Sequence, residues 1–326
     1  MISNWSFLPA SALEQQAAAW DATNAAASGV PFLETAFLLP LMRHFANGSL
    51  HLAWCGPATA PVAAALLQRD GAGRWSTFQP SQLPLGAWVV TQGQDSARLA
   101  HSLLRQLPGL SLGLSLPQLD PRLAPRPTDG PCVQTLDYID TAWVDIDRPF
   151  DTYWEARGKN LRSNMRKQRS KLENEGTPVH FEVLDRPEQM PEAMAEYGRL
   201  ESAGWKAENG TAVHADNAQG RFYTEMMQAF CRAGRGQVWR LKFGDKIVAM
   251  DLCIVGGDTL VILKTAFDPE YRNVSPAFLL KQEAFRHVFD EHRVARIEFY
   301  GKVMEWHTRW TDNARRLYHA NLFRWA

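Results

Sequence analysis

The sequence predicts a two-lobed α/β protein, and three observations carry that reading. The chain has 326 residues, enough for about two domains at roughly 100–200 residues each. Its second half reads as strand, helix, helix, three strands, helix, strand, helix, strand, and its first half echoes part of that order. The expected boundary lies at "DIDRPFDTYW" and divides the chain into lobes 1–147 and 148–326.

The elements of the second half follow in order. A long polar helix runs from Asp151 to about Glu175, with Gly176 as its C-terminal stop. "PVHFEVL" alternates as a strand. "PEQMPEAMAEYGRLESAG" is helical, and a further helix covers roughly Gln219 to Arg232. "GQVWRLKF", "IVAMDLCIV" and "TLVILKTAF" are β-rich and separated by the short turns "GDK" and "GGD". Such turns make two consecutive hairpins, hence an antiparallel meander. "SPAFLLKQEAFRHVFDEH" opens on Ser-Pro and carries Ala277, Leu280, Ala284 and Val288 as an apolar helix stripe. "VARIEFYG" is the next strand; a helix after Gly301 and a strand near "LYHANLFRW" close the chain.

In the first half, "HLAWCG", "PVAAALLQRD" and "RWSTFQP" read as a meander, "QDSARLAHSLLRQL" as a helix and "GLSLGLSL" as the strand after it. This partial match is a degenerate repeat of one α/β unit. The Pro-rich segment from Leu116 to Pro131 holds neither a helix nor an interior strand and reads as a surface loop.

Composition excludes several function classes. Formal net charge is zero, which argues against a dedicated nucleic-acid binder with its basic excess. Cys55, Cys132, Cys231 and Cys253 are far apart, and they read as buried thiols in a reducing compartment rather than as a disulfide framework or zinc site. "MISNWSFLPASALEQQ" lacks the basic start and apolar run of a signal peptide. No apolar run is long enough to span a membrane, so a cytoplasmic soluble protein is expected. The histidines show no HExxH or other metal spacing, and no GxSxG or Cys/His nucleophile signature is present.

The order of elements in the second half resembles the GNAT acyltransferase fold. The stretches "LESAGWKAENGTAV", "LKTAFDPEYRNVSPAFLL" and "GKNLRSNMRKQRSKLENEG" look like the acetyltransferases grouped with the CelD/BcsL cellulose-biosynthesis proteins. Those proteins have GNAT-like halves in tandem, as do the Fem-type peptidoglycan aminoacyl transferases. "PFLETAFLLPLMRHF" is similar to the family's N-terminal segment. The resemblance implies two GNAT-like lobes, the first degenerate, and an acyl-CoA co-substrate such as acetyl-CoA. In GNAT enzymes the fourth strand leads into a Q/R-x-x-G-x-G/A loop, and the helix that follows binds the coenzyme A pyrophosphate. Arg272, Asn273, Val274, Ser275, Pro276 and Ala277 occupy that slot. Unpaired N–H groups and the positive end of the helix dipole make such a terminus an anion site. Ser275 suits the N-cap and Pro276 the first helical position. Ser275 and Ala277 stand where the glycines would be, and Pro276 removes a donor. That shifts weight to Arg272 and to nearby cations such as Lys281. The competing reading is a capped core helix after a strand, as any α/β protein has.

The remaining candidates each carry two readings. Lys264 falls on the same strand face as Leu260, Ile262 and Ala266, with Asp268 as its nearest obvious carboxylate. It is either a solvent-facing lysine or, as the resemblance's K…D…Y…SP pattern implies, part of a cleft mouth with Asp268 and Tyr271. Glu201, Trp205 and Lys206 sit where a helix runs out into "GWKAENG", as the wall of an acceptor pocket or as plain surface. Seven basic residues lie between Arg157 and Lys171, Arg162 and Arg166 among them. They form either a solvated face or a site for an anionic acceptor. Trp306 and Trp310, four apart, read as core. Glu298 and Tyr300 share a strand face, half-buried or beside the thioester.

The implied reaction is direct attack of an amine or hydroxyl on the acyl-CoA thioester, without a covalent intermediate or metal. The acceptor is a small molecule, a sugar or a polysaccharide precursor. Glu201, Asp268 or a relayed water removes the proton, backbone amides from Ala266 through Phe267 to Asp268 polarise the carbonyl, and a tyrosine such as Tyr300 or Tyr271 protonates the sulfur. Two alternatives stand beside it: a Fem-like transferase fed by aminoacyl-tRNA, and an inactive GNAT-like binding protein. Acceptor identity, acyl length and oligomeric state are not legible in the sequence.

Overall fold

The computed structural model describes residues 4–57, 59–203, 213–214 and 217–325. The chain forms two compact units, residues 1–141 with 314–326, and residues 142–313. The division thus falls a few residues before the expected 147/148 boundary, and the last strand belongs with the first unit rather than the second.

In the first unit, β1 (Trp5–Pro9) leads through α1 (Ala17–Ala27) and α2 (Thr35–Phe45) to β2 (Leu50–Cys55), β3 (Ala63–Gly71) and β4 (Arg74–Thr77). Neighbours in β1-β2-β3-β4 are antiparallel. The chain then passes through β5 (Trp88–Val90) and α3 (Ser96–Gln106) to β6 (Gly113–Leu119), which lies parallel to β4. The chain's final strand, β13 (Ala314–Phe323), pairs antiparallel with β6. Leu99, Ala100, Leu103 and Leu104 of α3 pack on Ala63, Ala65, Leu114 and Leu116. The expected Pro-rich loop starts later than Leu116. Pro117 and Gln118 lie within β6, where Tyr318 pairs with Leu119 and Ala320 with Leu116. Two residues thus face His319 alone, and this bulge absorbs a proline that a regular ladder excludes.

The second unit repeats the plan. The strands β8 (Val179–Leu184), β9 (Gly236–Phe243), β10 (Lys246–Gly256) and β11 (Thr259–Phe267) are antiparallel neighbours. Helix α8 (Pro276–Glu291) crosses to β12 (Arg296–Glu298), parallel to β11, and Trp143–Asp145 at the end of β7 (Val133–Asp145) pair antiparallel with β12. On one face, Leu161, Met165 and Leu172 of α5 (Lys159–Asn174) join Leu280, Ala284, Phe285 and Val288 of α8 over Trp239, Leu241, Leu260 and Ile262. Full burial of each such side chain contributes roughly 1.5–3 kcal/mol. Helices α6 (Met190–Ala203) and α7 (Ala218–Arg232) pack on the other face through Met194, Tyr197, Phe222, Tyr223 and Met226.

The single long helix expected from Asp151 is two helices, α4 (Phe150–Glu155) and α5, because Gly158 leaves helical geometry at the α5 N-cap. Its expected stop holds. Gly176 has φ +66°, its N–H donates to Glu173 O, and the Thr177 N–H donates to Leu172 O, which is a Schellman cap. The helix expected after Gly301 is only the four residues of α9 (Glu305–Thr308).

In both units the two parallel strands pair over three positions, Arg74 to Ser76 with Gly113 to Ser115, and Thr259 to Val261 with Arg296 to Glu298. The first unit fills the space beyond with its own chain. The Ala87 N–H donates to Phe78 O at 3.0 Å and the Gly86 N–H to Pro117 O at 3.2 Å. A Cβ at residue 86 would stand 2.6 Å from Pro117 O, so glycine is required. Asp95 caps α3 by accepting from the Arg98 N–H at 3.0 Å. The cavity left beside Gly86 is about 20 Å³, about one water.

Candidate active site

In the second unit the corresponding gap is open. Strand β12 ends at Glu298, and Tyr300 turns back with φ +47°. Strand β11 runs on to Phe267, leaving an edge free of β12. A cleft of about 370 Å³ lies along that edge and reaches the first turn of α8. Its walls include Phe267, Phe278, Trp306 and Trp310, and Arg272 and Ser275 stand at the helix start.

A bulge decides which side chains of β11 face the cleft. Leu252 pairs with Lys264 and Cys253 with Ile262, so Leu263 is an extra residue. An extra residue inverts the alternation. Leu260 and Ile262 pack under α8, yet after the bulge it is Thr265 and Phe267 that line the cleft with α8. Lys264 therefore does not share a face with Leu260 and Ile262, as strict alternation predicts. It points to α6 and α7, where its Nζ donates to Glu201 Oε1 at 3.1 Å and lies 5.3 Å from the centroid of the Tyr223 ring. Glu201, 4 % exposed, also accepts from the Val213 N–H at 2.8 Å. Burial first, and then the Glu201 charge, push the Tyr197 and Tyr223 hydroxyls to higher pKa.

Asp268 is not the partner of Lys264. Its Oδ1 accepts from the Glu270 N–H at 3.0 Å, and its Oδ2 pairs with Lys246 Nζ at 3.0 Å. Both oxygens thus hold the turn before α8. Tyr271 packs its ring on Phe243, under the Lys246 ammonium, and is absent from the cleft wall. The Asp268 N–H donates to Val248 O. By strand alternation the N–H groups of Thr265 and Phe267, not those of Ala266 and Asp268, point to the open edge.

Of the expected helix-start residues, Phe267, Arg272, Ser275, Pro276, Ala277 and Lys281 line the cleft. Ala266 and Val274 are buried, and Asn273 is exposed away from the lining. Arg272 is exposed and has no ion-pair partner among the described residues. Lys281 is buried and pairs with Asp251 Oδ2 at 2.5 Å. Ser275 holds the N-cap position without a side-chain hydrogen bond to the helix, and its backbone is left-handed at φ +52° and ψ +55°. The conformation is the one glycine favours, although the residue is serine. Left-handed backbone costs a non-glycine residue roughly 1–2 kcal/mol, and added chain freedom in the unfolded state offsets part of the gain from glycine. Ser275→Gly is expected to leave stability equal or raise it by up to about 1 kcal/mol. Denaturant midpoints measure this, and a clear loss of stability would show that the hydroxyl holds the turn.

Sequence reasoning missed Thr265, Phe278, Asp251 and the double role of the tryptophans. Trp310 is fully buried and stacks on Phe278 at 5.8 Å, while also lining the cleft with Trp306. His307 stacks on Trp306 at 3.5 Å, and burial lowers its pKa to about 4. Trp205 and Lys206 lie outside the described residues. On α5, Arg169 bonds Gln282 and Glu283; Arg157, just before the helix, donates to Trp310 O at 2.8 Å. Lys159, Arg162, Arg166 and Lys167 have no carboxylate partner among the described residues. No group of three His, Cys, Asp or Glu among the described residues is placed to hold a metal.

An antiparallel meander, a helix crossover and two parallel strands that part beside that helix's N-terminus define a GNAT-type α/β fold, laid out as two lobes. The family model described as an acetyltransferase (GNAT) domain matches residues 159–308. No curated protein matches the sequence. Among solved structures, the chain is similar to one provisionally described as the C-terminal domain of a lysylphosphatidylglycerol synthetase from Agrobacterium fabrum. The TM-score is 0.60 at 14% identity, covering 94% of this chain and 91% of that one. The FemX structure gives a TM-score of 0.60 at 10% identity, covering 94% and 95%. A conserved protein of unknown function from Bacteroides thetaiotaomicron gives 0.58 at 11% identity, covering 98% and 99%. At these identities the likeness is one of fold, and it spans both units.

Proposed function

We propose that the second unit transfers a short acyl group from acyl-CoA to an amine or hydroxyl of a small-molecule or sugar-type acceptor. The observation that carries this is the cleft at the first turn of α8, with Arg272, which has no ion-pair partner among the described residues, at its mouth and an apolar wall behind it. A pyrophosphate fits the helix N-terminus and Arg272, and a pantetheine arm fits the wall of Phe267, Phe278 and Trp306. The thioester then reaches the open edge of β11, where the Thr265 and Phe267 N–H groups polarise its carbonyl. The acceptor enters from the α6–α7 side, and Glu201, held by Lys264, takes the proton that the attacking nitrogen loses. Tyr300, turned out of β12, is not needed as the acid. The CelD/BcsL resemblance, and with it a polysaccharide-precursor acceptor, rests on the sequence motifs alone.

Arg272→Ala tests the donor half of this reading. Charge-assisted hydrogen bonds contribute about 1.5–3 kcal/mol, so acetyl-CoA affinity is expected to fall tenfold or more in calorimetric titration. Unchanged affinity would remove the pyrophosphate from the α8 start.

A second reading, a Fem-like donor delivered on tRNA, is favoured by the four cations of α5 that have no carboxylate partner among the described residues. Polyanion binding through such cations falls steeply with salt. Saturable tRNA binding lost on neutralising Arg162 and Arg166, with no acetyl-CoA binding, would replace the first reading with this one.

A further inference from the structure

Lys281 lines the cleft yet is 2 % exposed. Its ammonium has three N–H donors. One goes to Asp251 Oδ2 at 2.5 Å and one to Thr265 Oγ1 at 3.1 Å, while Thr265 Oγ1 donates to Asp251 Oδ1 at 2.5 Å. The third has no acceptor among the described residues. The ring of Trp306 lies 5.8 Å from the ammonium, and Phe267, Pro276, Ala277 and Phe278 supply other parts of the wall.

The pair is not explained by stability. Replacing a buried ion pair by apolar groups of like volume is often neutral or stabilising, and the surroundings here are apolar enough to receive them. The position is informative. Thr265 lies just past the bulge, on the stretch of β11 that has left β12 behind. Lys281 stands about 7.5 Å along α8 from Pro276 at 1.5 Å per residue. The ammonium is therefore at the inner end of the cleft, away from the turn that would hold the phosphates.

We propose that Lys281 is a further catalytic residue: its ammonium, held by Asp251 and Thr265, faces the sulfur of the bound thioester and stabilises the thiolate as it leaves. This rests on the acyl-CoA reading above. The acceptor nitrogen's lone pair forms the C–N bond, and the C–S bond breaks with its electron pair on sulfur. The nitrogen's surplus proton goes to Glu201, and Lys281 keeps its own proton while donating a hydrogen bond to the thiolate. Among the described residues, Asp251 on β10 works against an anion, the Cys253 thiol on β10 is kept protonated chiefly by burial, and Arg272, before α8, lines the same cleft. His307 on α9 is neutral near pH 7.

Free CoA provides the test without any acceptor, because its thiolate absorbs in the near ultraviolet. CoA bound to the wild-type protein is titrated with pH against CoA in solution. An ordinary thiol ionises near about 8.5, and a cation at contact lowers that by roughly one unit or more. The expected result is a bound thiol that ionises about one unit or more below free CoA. In Asp251→Asn/Lys281→Met the value should return to that of free CoA, with CoA affinity within about threefold. Wild-type-bound CoA that titrates like free CoA overturns the role of Lys281 and leaves the donor site standing. An equal shift in both proteins also overturns it, as does a tenfold loss of affinity with no change in titration, which would make Lys281 a ligand of the arm. No CoA binding by the wild-type protein would end both this proposal and the acyl-CoA reading. If the double variant does not fold, Thr265→Val replaces it, with a smaller return expected.

Discussion

Lys281→Met alone is expected to lower the thermal unfolding midpoint of the second unit by about 10 °C. The residue left behind is Asp251, which is 0 % exposed. Its carboxylate now accepts from Lys281 and from the Thr265 hydroxyl, and after the substitution only the neutral hydroxyl remains. Removing one partner of a buried pair costs about 3–5 kcal/mol. For a unit of this size each kcal/mol moves the midpoint by about 2–4 °C. Asp251→Asn added to Lys281→Met removes the stranded charge, so most of the loss should be recovered. Calorimetric scans of the two variants decide it. If the double variant is no more stable than the single one, the loss comes from packing of the lysine stem and not from the carboxylate.

The fold was legible because its signals are local. The turns "GDK" and "GGD" between β-rich runs define the β9-β10-β11 meander, and Ser-Pro followed by an apolar stripe defines α8. The repeat was visible in the first unit for the same reason, since β2, β3, β4, α3 and β6 each carry their own pattern. What escaped depends on pairing between distant segments. Nothing near "LYHANLFRW" says that β13 pairs with β6 in the first unit, because either lobe offers a strand edge of suitable pattern. The site was half legible. Arg272 to Ala277 follow from a local rule about helix starts, and the structure brings four of those six residues to the cleft. The side chains of β11 were misjudged because the alternation rule assumes an unbroken ladder, and the extra residue Leu263 inverts it. That single bulge sends Lys264 to Glu201 and gives Thr265 to Lys281. The partners Glu201 and Asp251 stand 63 and 14 residues away along the chain, beyond the reach of any spacing motif.

Glu201→Gln is expected to lower acyl-transfer turnover by about 10²–10⁴, the usual worth of general acid–base help, with little effect on donor affinity. The substitution keeps the volume but only one acceptor oxygen, so it serves the Lys264 ammonium or the Val213 N–H and not both, and a modest loss of stability is expected beside the loss of turnover. What it removes is the ability to take a proton. Donor affinity is spared because Glu201 and Lys264 lie on the α6–α7 face of β11 and the cleft lies on the α8 face. Lys264→Met is the companion variant. It leaves Glu201 ionisable and bonded to the Val213 N–H, so its turnover should fall less than that of Glu201→Gln, and its stability should fall more, because a carboxylate at 4 % exposure loses the Lys264 charge beside it. Single-turnover rates with an acceptor found by a CoA-release screen, acetyl-CoA affinity by calorimetry and unfolding midpoints separate the three quantities. Equal turnover in Glu201→Gln and the wild type would make the Lys264–Glu201 pair a structural strut, and would move the search for the base to the acceptor itself, arriving as a free amine.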